Sequence, residues 1–238
     1  VKHVDLSLTG EPINYPKINE IINLFHKEKI STFLVTNGQY PEELKDLPPI
    51  TQLYISLDAP SKEILKKVSQ PLFTDHWERL NKSLEYLSEK KERTCLRFTL
   101  MREINMCDLE GYSKLIQKAD PDFLEIKAYM FVGSSRQRLD LKNMPFHEDM
   151  VNFSKALVKY LPDYEIVAEH IPSRIVLLAK KKYKKNGKWH TWIDFDKFFN
   201  KEEDYSRETP ETGLSGKGTK ERMKVDEKTE ELEFWKED

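Results

Sequence analysis

Residues 30–41 (ISTFLVTNGQYP) and 51–60 (TQLYISLDAP) decide the fold of this 238-residue chain. Each stretch contains a short apolar run, at 32–35 and 52–57, of residues that favour β-strands. Each run ends in polar turn residues, Thr36-Asn37-Gly38 in the first and Asp58-Ala59-Pro60 in the second. The two stretches therefore predict strands that end in polar loops.

Strands and helices alternate on both sides of these two stretches. Further strands are predicted at 3–9, 94–101 and 123–132. Helical spacing of apolar residues begins at Ile18 and again at Trp77, and Asp108 caps a third helix. About five alternations at this spacing predict βαβ units and a parallel sheet with right-handed crossovers.

The pattern changes in the last third of the chain. Residues 165–168, 174–183 and 188–195 predict consecutive strands, the last two joined by a turn at 185–187. Residues 200–238 contain eight Lys and Arg against 13 Asp and Glu, with few apolar residues. We therefore predict an α/β part over 1–162, an antiparallel β extension over 163–199 and a disordered charged tail over 200–238.

Composition excludes several classes of protein. Two cysteines, Cys95 and Cys107, are too few for a disulfide framework or for a zinc ribbon made within this chain. No apolar run approaches the ~20 residues of a membrane span, and the low cysteine content suits a reducing cytosol, so a cytoplasmic location is predicted. The net charge of −2 does not by itself indicate a nucleic-acid partner.

Polar residues gather just after four successive predicted strands. They are Thr9-Gly10-Glu11, Thr36-Asn37, Ser56 with Asp58, and Lys127. Ordinary turns explain any one of these groups, but ligands of parallel sheets and barrels bind at this edge, so four alike favour a ligand site. Glycine lets the backbone approach a ligand closely, and the Glu11 carboxylate accepts hydrogen bonds from an ammonium group.

Motifs over most of the chain, taken in order, resemble the tRNA 4-demethylwyosine synthase family of radical S-adenosylmethionine enzymes. The resemblance covers about residues 1–199 and leaves out the polar tail. It rests on LSLTGEP (6–12), the two stretches quoted first, PLFTDHWERL (71–80), EIKAYMFVG (125–133), MPFHEDM (144–150), AEH (168–170) and WHTWIDFDKF (189–198).

This resemblance implies a partial (β/α)6 barrel, incomplete at the N-terminus of this chain, that binds S-adenosylmethionine. A four-iron, four-sulfur cluster cleaves that cofactor, and the radical acts on N1-methylguanosine beside the anticodon of phenylalanine tRNA. Two carbons of pyruvate then complete the third ring. By resemblance, the cofactor-binding residues are Thr9, Gly10, Glu11, Thr36, Asn37, Ser56, Asp58, Arg97 and Asn105.

The cluster of this family requires a Cys-x3-Cys-x2-Cys loop, and none is present. Cys95 and Cys107 are too few and wrongly spaced, because cluster ligation takes three or four thiolates. We therefore predict no metal ligand in this chain and expect the cluster ligands upstream of Val1. The chain as given is then inactive by itself, either as a fragment or as a cluster-free homologue.

Lys127 and His170 are the candidate catalytic residues. Strand alternation turns Glu125 and Lys127 to the same side, where Lys127 either forms a Schiff base with the ketone of pyruvate or binds its carboxylate. The alternative is a structural ion pair with Glu125. His170 orients a substrate or transfers a proton, while His147, Glu169 and Ser173 match motifs at the rim of the site.

A lysine-rich hairpin at 180–188 (KKKYKKNGK), followed by aromatic residues, predicts contact with RNA phosphates and bases. A solvated hairpin over packed tryptophans is the alternative. Arg136 is a second candidate for phosphate contact. The candidate residues of the hairpin and its aromatic neighbours are Lys181, Lys184, Lys185, Trp189 and Trp192.

Three functions are therefore weighed against one another. The first is radical modification of phenylalanine tRNA at its anticodon stem-loop to form 4-demethylwyosine, with pyruvate as second substrate. The second is a cluster-free tRNA-binding module without catalysis. The third, a generic metabolic α/β enzyme, explains only the polar strand ends.

Overall fold

A single seven-stranded sheet organises the chain in the computed structural model, which describes residues 1–7 and 10–215. Its strand order is β1-β2-β3-β4-β5-β7-β6. Neighbours from β1 to β5 are parallel, whereas β7 is antiparallel to both β5 and β6. The strands are β1 (His3–Leu6), β2 (Ser31–Thr36), β3 (Gln52–Ser56), β4 (Arg93–Leu100), β5 (Phe123–Ala128), β6 (Tyr164–His170) and β7 (Ile175–Lys180). The parallel α/β sheet predicted from the sequence is confirmed.

Helices cover one face of this sheet. Each strand from β2 to β5 contributes a fully buried leucine to one core, which also contains the apolar sides of the helices. These leucines are Leu34, Leu53, Leu96 and Leu124. Burying each such side chain stabilises the fold by roughly 1.5–3 kcal/mol. The helices are α1 (Ile18–Lys27), α2 (Pro41–Asp46), α3 (Lys62–Ser69), α4 (His76–Ser88), α5 (Leu109–Ala119), α6 (His147–Leu157) and the short α7 (Phe195–Phe199). Among the described residues, no helix combines the length and apolarity needed to cross a bilayer.

The opposite face, called here the inner face, carries the alternate residues of the same strands. Tyr54, Arg97, Glu125 and Lys127 lie on it and are partly exposed. In register, Tyr54 pairs with Cys95, Arg97 with Glu125, and Thr99 with Lys127. Helix packing on one face thus leaves the charged residues of β4 and β5 together on the other.

The β extension predicted at 163–199 is antiparallel, but its first two strands continue the main sheet because β7 pairs with β5. The strand predicted over 123–132 ends earlier, at Ala128. The predicted turn at 185–187 joins β8 (Lys184–Lys185) to β9 (Lys188–Trp189). Asn186 and Gly187 both have positive φ, as a two-residue hairpin requires.

Residues 191–215, called here the C-terminal strap, fold against the amino ends of the strands. The Tyr205 hydroxyl donates to the Thr51 carbonyl at 3.0 Å and accepts from the Arg93 N–H at 2.8 Å. Within the strap, β10 (Trp192–Ile193) pairs with β11 (Ser206–Arg207). The prediction of disorder from residue 200 onward is therefore wrong for 200–215, because Tyr205 anchors this polar segment to the sheet. Residues 216–238 lie outside the described part.

Candidate functional site

A cavity of about 420 Å³ lies at the carboxyl ends of β1, β2 and β3. It brings together five residues that the sequence analysis assigned to a cofactor, from three separate turns of the chain: Gly10, Glu11, Asn37, Ser56 and Asp58. Thr9, the remaining residue of the first turn, lies outside the described residues. The parallel sheet places these turns at one edge, as is usual for ligand sites of α/β proteins.

Glu11 is one of two acidic residues in the wall of this cavity, with Asp58. Its Oε2 accepts the backbone N–H of Asn37 at 2.8 Å, and the Thr36 hydroxyl also bonds the carboxylate. Its Oε1 is buried and has no hydrogen-bond partner within residues 1–7 and 10–215. Burial raises the pKa of Glu11, and the bonds from Asn37 and Thr36, with a weaker contribution from the Ile13 backbone, oppose that rise. A half-buried carboxylate with one unpaired oxygen is suited to a cationic donor.

The turn after β2 is held in one conformation. The Thr36 hydroxyl accepts the Gly38 N–H at 3.1 Å, and Asn37 Oδ1 accepts the Gln39 N–H at 2.9 Å. Gly38 has a φ of +71°, and a Cβ there would lie 2.9 Å from Leu80 Cδ1. Thr36 is buried and supports Glu11 from behind the cavity wall.

Asp58 and Asn105 join the ends of β3 and β4. Asp58 Oδ1 accepts the Thr99 N–H at 2.7 Å, and burial raises the pKa of Asp58 to about 6. The Asn105 amide nitrogen donates to the carbonyls of Asp58 and Thr99, and its oxygen accepts the Met101 N–H. The prediction that Asn105 contacts the cofactor is therefore wrong, because it is fully buried and its side-chain polar atoms bond the backbone.

Outside the cavity, three charged side chains lie near one another on the inner face: Arg97, Glu125 and Lys127. Arg97 Nε lies 3.1 Å from Glu125 Oε1, so Glu125 pairs with Arg97. The predicted ion pair between Lys127 and Glu125 does not form, and Lys127 has no carboxylate partner in the described part of the chain. Burial and then the nearby Arg97 charge lower the pKa of Lys127, while Glu125 opposes them. The Lys127 ammonium is therefore open to an anionic ligand.

His170 lies on the same face and at the same end as Lys127. Ile175 pairs in register with both residues, so His170 and Lys127 flank it on the two neighbouring strands. His170 Nδ1 lies 2.7 Å from Ser173 Oγ. The two predicted catalytic residues are thus separated by one strand.

His147 and Glu169 form a pair on the other side of the sheet. His147 Nε2 lies 3.0 Å from Glu169 Oε2, and both side chains are largely buried. Glu169 pairs in register with Val176, a residue of the helix-side core. The sheet therefore separates this pair from Lys127. Sequence reasoning missed its neighbour Arg174, which is fully buried and donates to the Pro145 carbonyl at 2.6 Å.

The lysine-rich hairpin lies at the opposite end of the sheet. Residue Ala179, near the end of β7, pairs with Phe123 at the start of β5, and the hairpin follows directly. Lysines of this segment are neutralised by carboxylates: Lys182 by Asp122, Lys184 by Glu165, Lys185 by Asp204 and Lys188 by Glu208.

The aromatic residues that follow the hairpin lie at the same end. Trp189 packs beside the cluster that contains Tyr183. Trp192 lines a cavity of about 560 Å³ on the inner face, which Tyr54, Glu125 and Ile175 also line. The structure therefore does not bring Lys181, Lys184, Lys185 or Trp189 to the candidate site. Trp192, in contrast, shares its inner-face cavity with Glu125 and Ile175. Arg136 lies in the segment directly after β5. This predicted RNA-contacting residue is therefore at the same end of the sheet as the candidate site.

The cysteines do not fit an iron–sulfur cluster. Cys95 is buried on β4, and Cys107 is exposed in the loop before α5. Within residues 1–7 and 10–215, no three His, Cys, Asp or Glu side chains are grouped so as to hold a metal ion. The cavity around Glu11, in contrast, is lined by a residue whose buried Oε1 has no hydrogen-bond partner among the described residues.

Family profiles divide the chain at the end of α5. The profile of the Radical SAM superfamily matches residues 2–116. The profile described as Wyosine base formation matches residues 118–180. The first match contains the cavity and the second contains Lys127 and His170.

Curated relatives match nearly the whole chain. The S-adenosyl-L-methionine-dependent tRNA 4-demethylwyosine synthase of Xenopus laevis is 46% identical over 231 residues, which are 91% of this chain and 31% of that protein. The enzyme of the same name from Oryza sativa is 48% identical over 226 residues, 90% of this chain and 35% of that protein. The chain thus spans about a third of the length of these relatives.

Solved structures agree with this similarity. A TYW1 structure with a lysine–pyruvate adduct bound superposes with a TM-score of 0.70 at 36% identity, covering 78% of this chain and 59% of that one. An archaeal TYW1 structure gives a TM-score of 0.65 at 34% identity, with the same coverage of both chains.

The raised pKa of Asp58 predicts a pH-dependent stability. Between pH 4 and pH 6 the folded chain holds a proton on Asp58 that the unfolded chain releases, so the free energy of unfolding falls as pH rises. Asp58→Asn removes this dependence. From pH 4 to pH 7, the free energy of unfolding of the variant should therefore rise relative to that of the wild type by on the order of 2 kcal/mol. Urea unfolding of both proteins at pH 4 and at pH 7 measures this change. A stability difference between variant and wild type that is the same at both pH values would contradict the raised pKa of Asp58.

Proposed function

We propose a function on the premise that this chain belongs to the tRNA 4-demethylwyosine synthase family of radical S-adenosylmethionine proteins. The chain provides the S-adenosylmethionine pocket and part of the substrate-binding surface of an enzyme that converts N1-methylguanosine in tRNA to 4-demethylwyosine. The observation that carries the proposal is the buried, unpaired Oε1 of Glu11 at the carboxyl edge of the parallel strands.

Glu11 binds the amino group of S-adenosylmethionine in this proposal. The Asn37 N–H holds Glu11 Oε2, so Oε1 is oriented before the ligand arrives. Ser56 and Asp58, on the far wall of the cavity, offer oxygens to the rest of the cofactor. The positive charge of the ligand also stabilises the ionised form of a carboxyl group whose pKa burial has raised.

S-adenosylmethionine supplies a 5′-deoxyadenosyl radical when a reduced iron–sulfur cluster cleaves it. Because two cysteines cannot ligate such a cluster, we assign no radical step to residues of this chain. Its own residues bind and orient the cofactor and the substrates.

Lys127 binds pyruvate in this proposal, either through the pyruvate carboxylate or as a covalent adduct like the lysine–pyruvate adduct of the similar TYW1 structure. Its half-buried ammonium has Arg97 beside it and no carboxylate partner in the described residues, because Glu125 pairs with Arg97, so the charge of Lys127 is not balanced by a nearby anion. A small 2-oxo acid completes this charge balance. His170, on the far side of Ile175, lies where it orients the same ligand.

RNA contact belongs to the carboxyl edge of the strands rather than to the lysine-rich hairpin. The edge carries exposed cations that have no carboxylate partner within residues 1–7 and 10–215, in the segments after β3 and β5. These are Lys66, Lys67, Arg136 and Arg138. Unpaired cations attract phosphates, whereas cations that already pair with carboxylates gain little from them.

Exposed apolar side chains lie in the turns at the same edge. Tyr15 follows β1 and is 51% exposed, Leu72 follows α3 and is 94% exposed, and Val132 follows β5 and is 55% exposed. Single-stranded RNA loops present unstacked bases, which pack on such side chains. We therefore assign the anticodon stem-loop of phenylalanine tRNA to this edge.

Glu11→Gln should weaken binding of S-adenosylmethionine about 10- to 100-fold, because a hydrogen bond to a charged group contributes roughly 1.5–3 kcal/mol. Isothermal titration calorimetry on the full chain measures the effect. Glu43→Gln, in an exposed position on α2, is the matched control and should bind like the wild type. A wild-type chain that binds RNA but not S-adenosylmethionine would favour a cluster-free tRNA-binding module.

Lys127→Met should abolish binding of labelled pyruvate in equilibrium dialysis, because it removes both the charge and the primary amine. Lys127→Arg keeps the charge alone, so it should retain binding by charge pairing and lose a covalent adduct. Lys155→Met, on the exposed face of α6, is the control. Borohydride treatment with pyruvate tests the covalent alternative. A reduced adduct found on Lys127 by peptide mass spectrometry would replace charge pairing by a Schiff base at this residue.

Removing Lys66, Lys67 and Arg136 together, each to Ala, should weaken binding of a tRNA-Phe anticodon stem-loop. Each cation that no longer pairs with a phosphate lowers the slope of log affinity against log salt by about 0.7–0.9, so the slope should fall by about 2. Lys184→Ala with Lys185→Ala should leave both quantities unchanged, because those lysines pair with Glu165 and Asp204. Filter binding over a salt series decides between the edge and the hairpin, and a larger effect in the hairpin variant would contradict our assignment.

A further inference from the structure

Gln39 is a buried polar residue in the cavity wall to which the sequence analysis assigned no role. It is 7% exposed, lines the 420 Å³ cavity, and follows directly after the turn at Asn37 and Gly38. Nothing in the spacing of the motif at 30–41 distinguishes it from its neighbours. The hydrogen bonds of Gln39 distinguish it from these neighbours.

The polar atoms of Gln39 are engaged with one exception. Its N–H donates to Asn37 Oδ1 at 2.9 Å, and its carbonyl accepts from Arg79 Nη1 at 3.0 Å. Its side-chain Nε2 donates to the His76 carbonyl at 3.1 Å, which fixes the orientation of the amide. Its Oε1 is buried and has no donor among the described residues.

Glu11 Oε1 is a second unpaired acceptor in the wall of the same cavity. Both residues are tethered to Asn37: Glu11 accepts its backbone N–H, and Gln39 donates to its side-chain oxygen. Two acceptors without donors are therefore held by one turn. Leaving a buried acceptor unpaired is costly, so each of these two oxygens gains from a ligand that brings N–H groups into the cavity.

We propose that Gln39 Oε1, together with Glu11 Oε1, accepts hydrogen bonds from the α-amino group of S-adenosylmethionine. This inference rests on the proposed function and adds a residue that selects ligands carrying a free amino group. An amino group offers the two donors that this pair of acceptors lacks, whereas a hydroxyl offers one and a thioether none. The uncharged amide adds this contact without placing a second buried carboxylate beside Glu11.

The test compares two ligands in one variant. Gln39→Met keeps the length of the side chain and removes the acceptor, while 5′-methylthioadenosine keeps the adenosine and sulfur of the cofactor and lacks its amino group. In titration calorimetry with the full chain, Gln39→Met should weaken S-adenosylmethionine binding 5- to 20-fold. It should change the affinity for 5′-methylthioadenosine less than 2-fold.

Using the ratio of the two affinities protects the test from general damage to the fold. Losing the bond from Nε2 to the His76 carbonyl affects both ligands alike and cancels in the ratio. Gln117→Met, on the exposed side of α5, is the matched control and should leave both affinities unchanged.

Each result is decisive. A selective loss for S-adenosylmethionine supports the proposal. Equal weakening of both ligands, or no weakening of either, overturns it while the proposed function stands. A wild-type chain that binds neither ligand overturns the proposed function and this inference with it.

Discussion

The hydrogen bond from the Asn37 N–H to Glu11 Oε2 joins the turn after β2 to the turn after β1, and the candidate site depends on it. It links segments 26 residues apart in sequence, which the parallel pairing of β1 and β2 brings to the same edge. The other oxygen of Glu11, Oε1, is buried and has no hydrogen-bond partner among the described residues. A carboxylate oriented in this way binds a cation without reorganising, which is what preorganisation of a binding site means physically.

The two ends of the sheet differ in how their charges are balanced. At the amino ends of the strands, the lysines of the hairpin form ion pairs with acidic residues of the strap, of β6 and of the loop before β5. At the carboxyl ends, Lys127 and several surface cations have no such partner among the described residues. Exposed pairs add little stability, so their main effect here is to remove the hairpin as an attractor of phosphates. The candidate site lies at the carboxyl ends of the strands, where cations lack carboxylate partners in the described part of the chain.

Burial has opposite consequences for the ionisable groups of this site. It raises the pKa of Glu11 and of Asp58, and it lowers the pKa of Lys127. In each case the charged form is disfavoured until a partner of opposite charge arrives. Glu11 and Lys127 therefore each gain from an oppositely charged ligand, and the amino acid of S-adenosylmethionine and the carboxylate of pyruvate are such ligands.

The amino-acid sequence by itself determined the alternation of strands and helices and the edge at which ligands gather. It did so because apolar periodicity and turn residues are local properties, as the stretches ending in Thr36-Asn37-Gly38 and Asp58-Ala59-Pro60 illustrate. It also identified the family, since ordered motifs such as LSLTGEP persist over most of the chain. Only the tertiary structure decided which polar atoms remain without a partner, because that depends on contacts between distant segments. Burial of Asn105, pairing of Glu125 with Arg97 instead of Lys127, anchoring of the strap by Tyr205 and the unpaired oxygen of Gln39 all arise in this way.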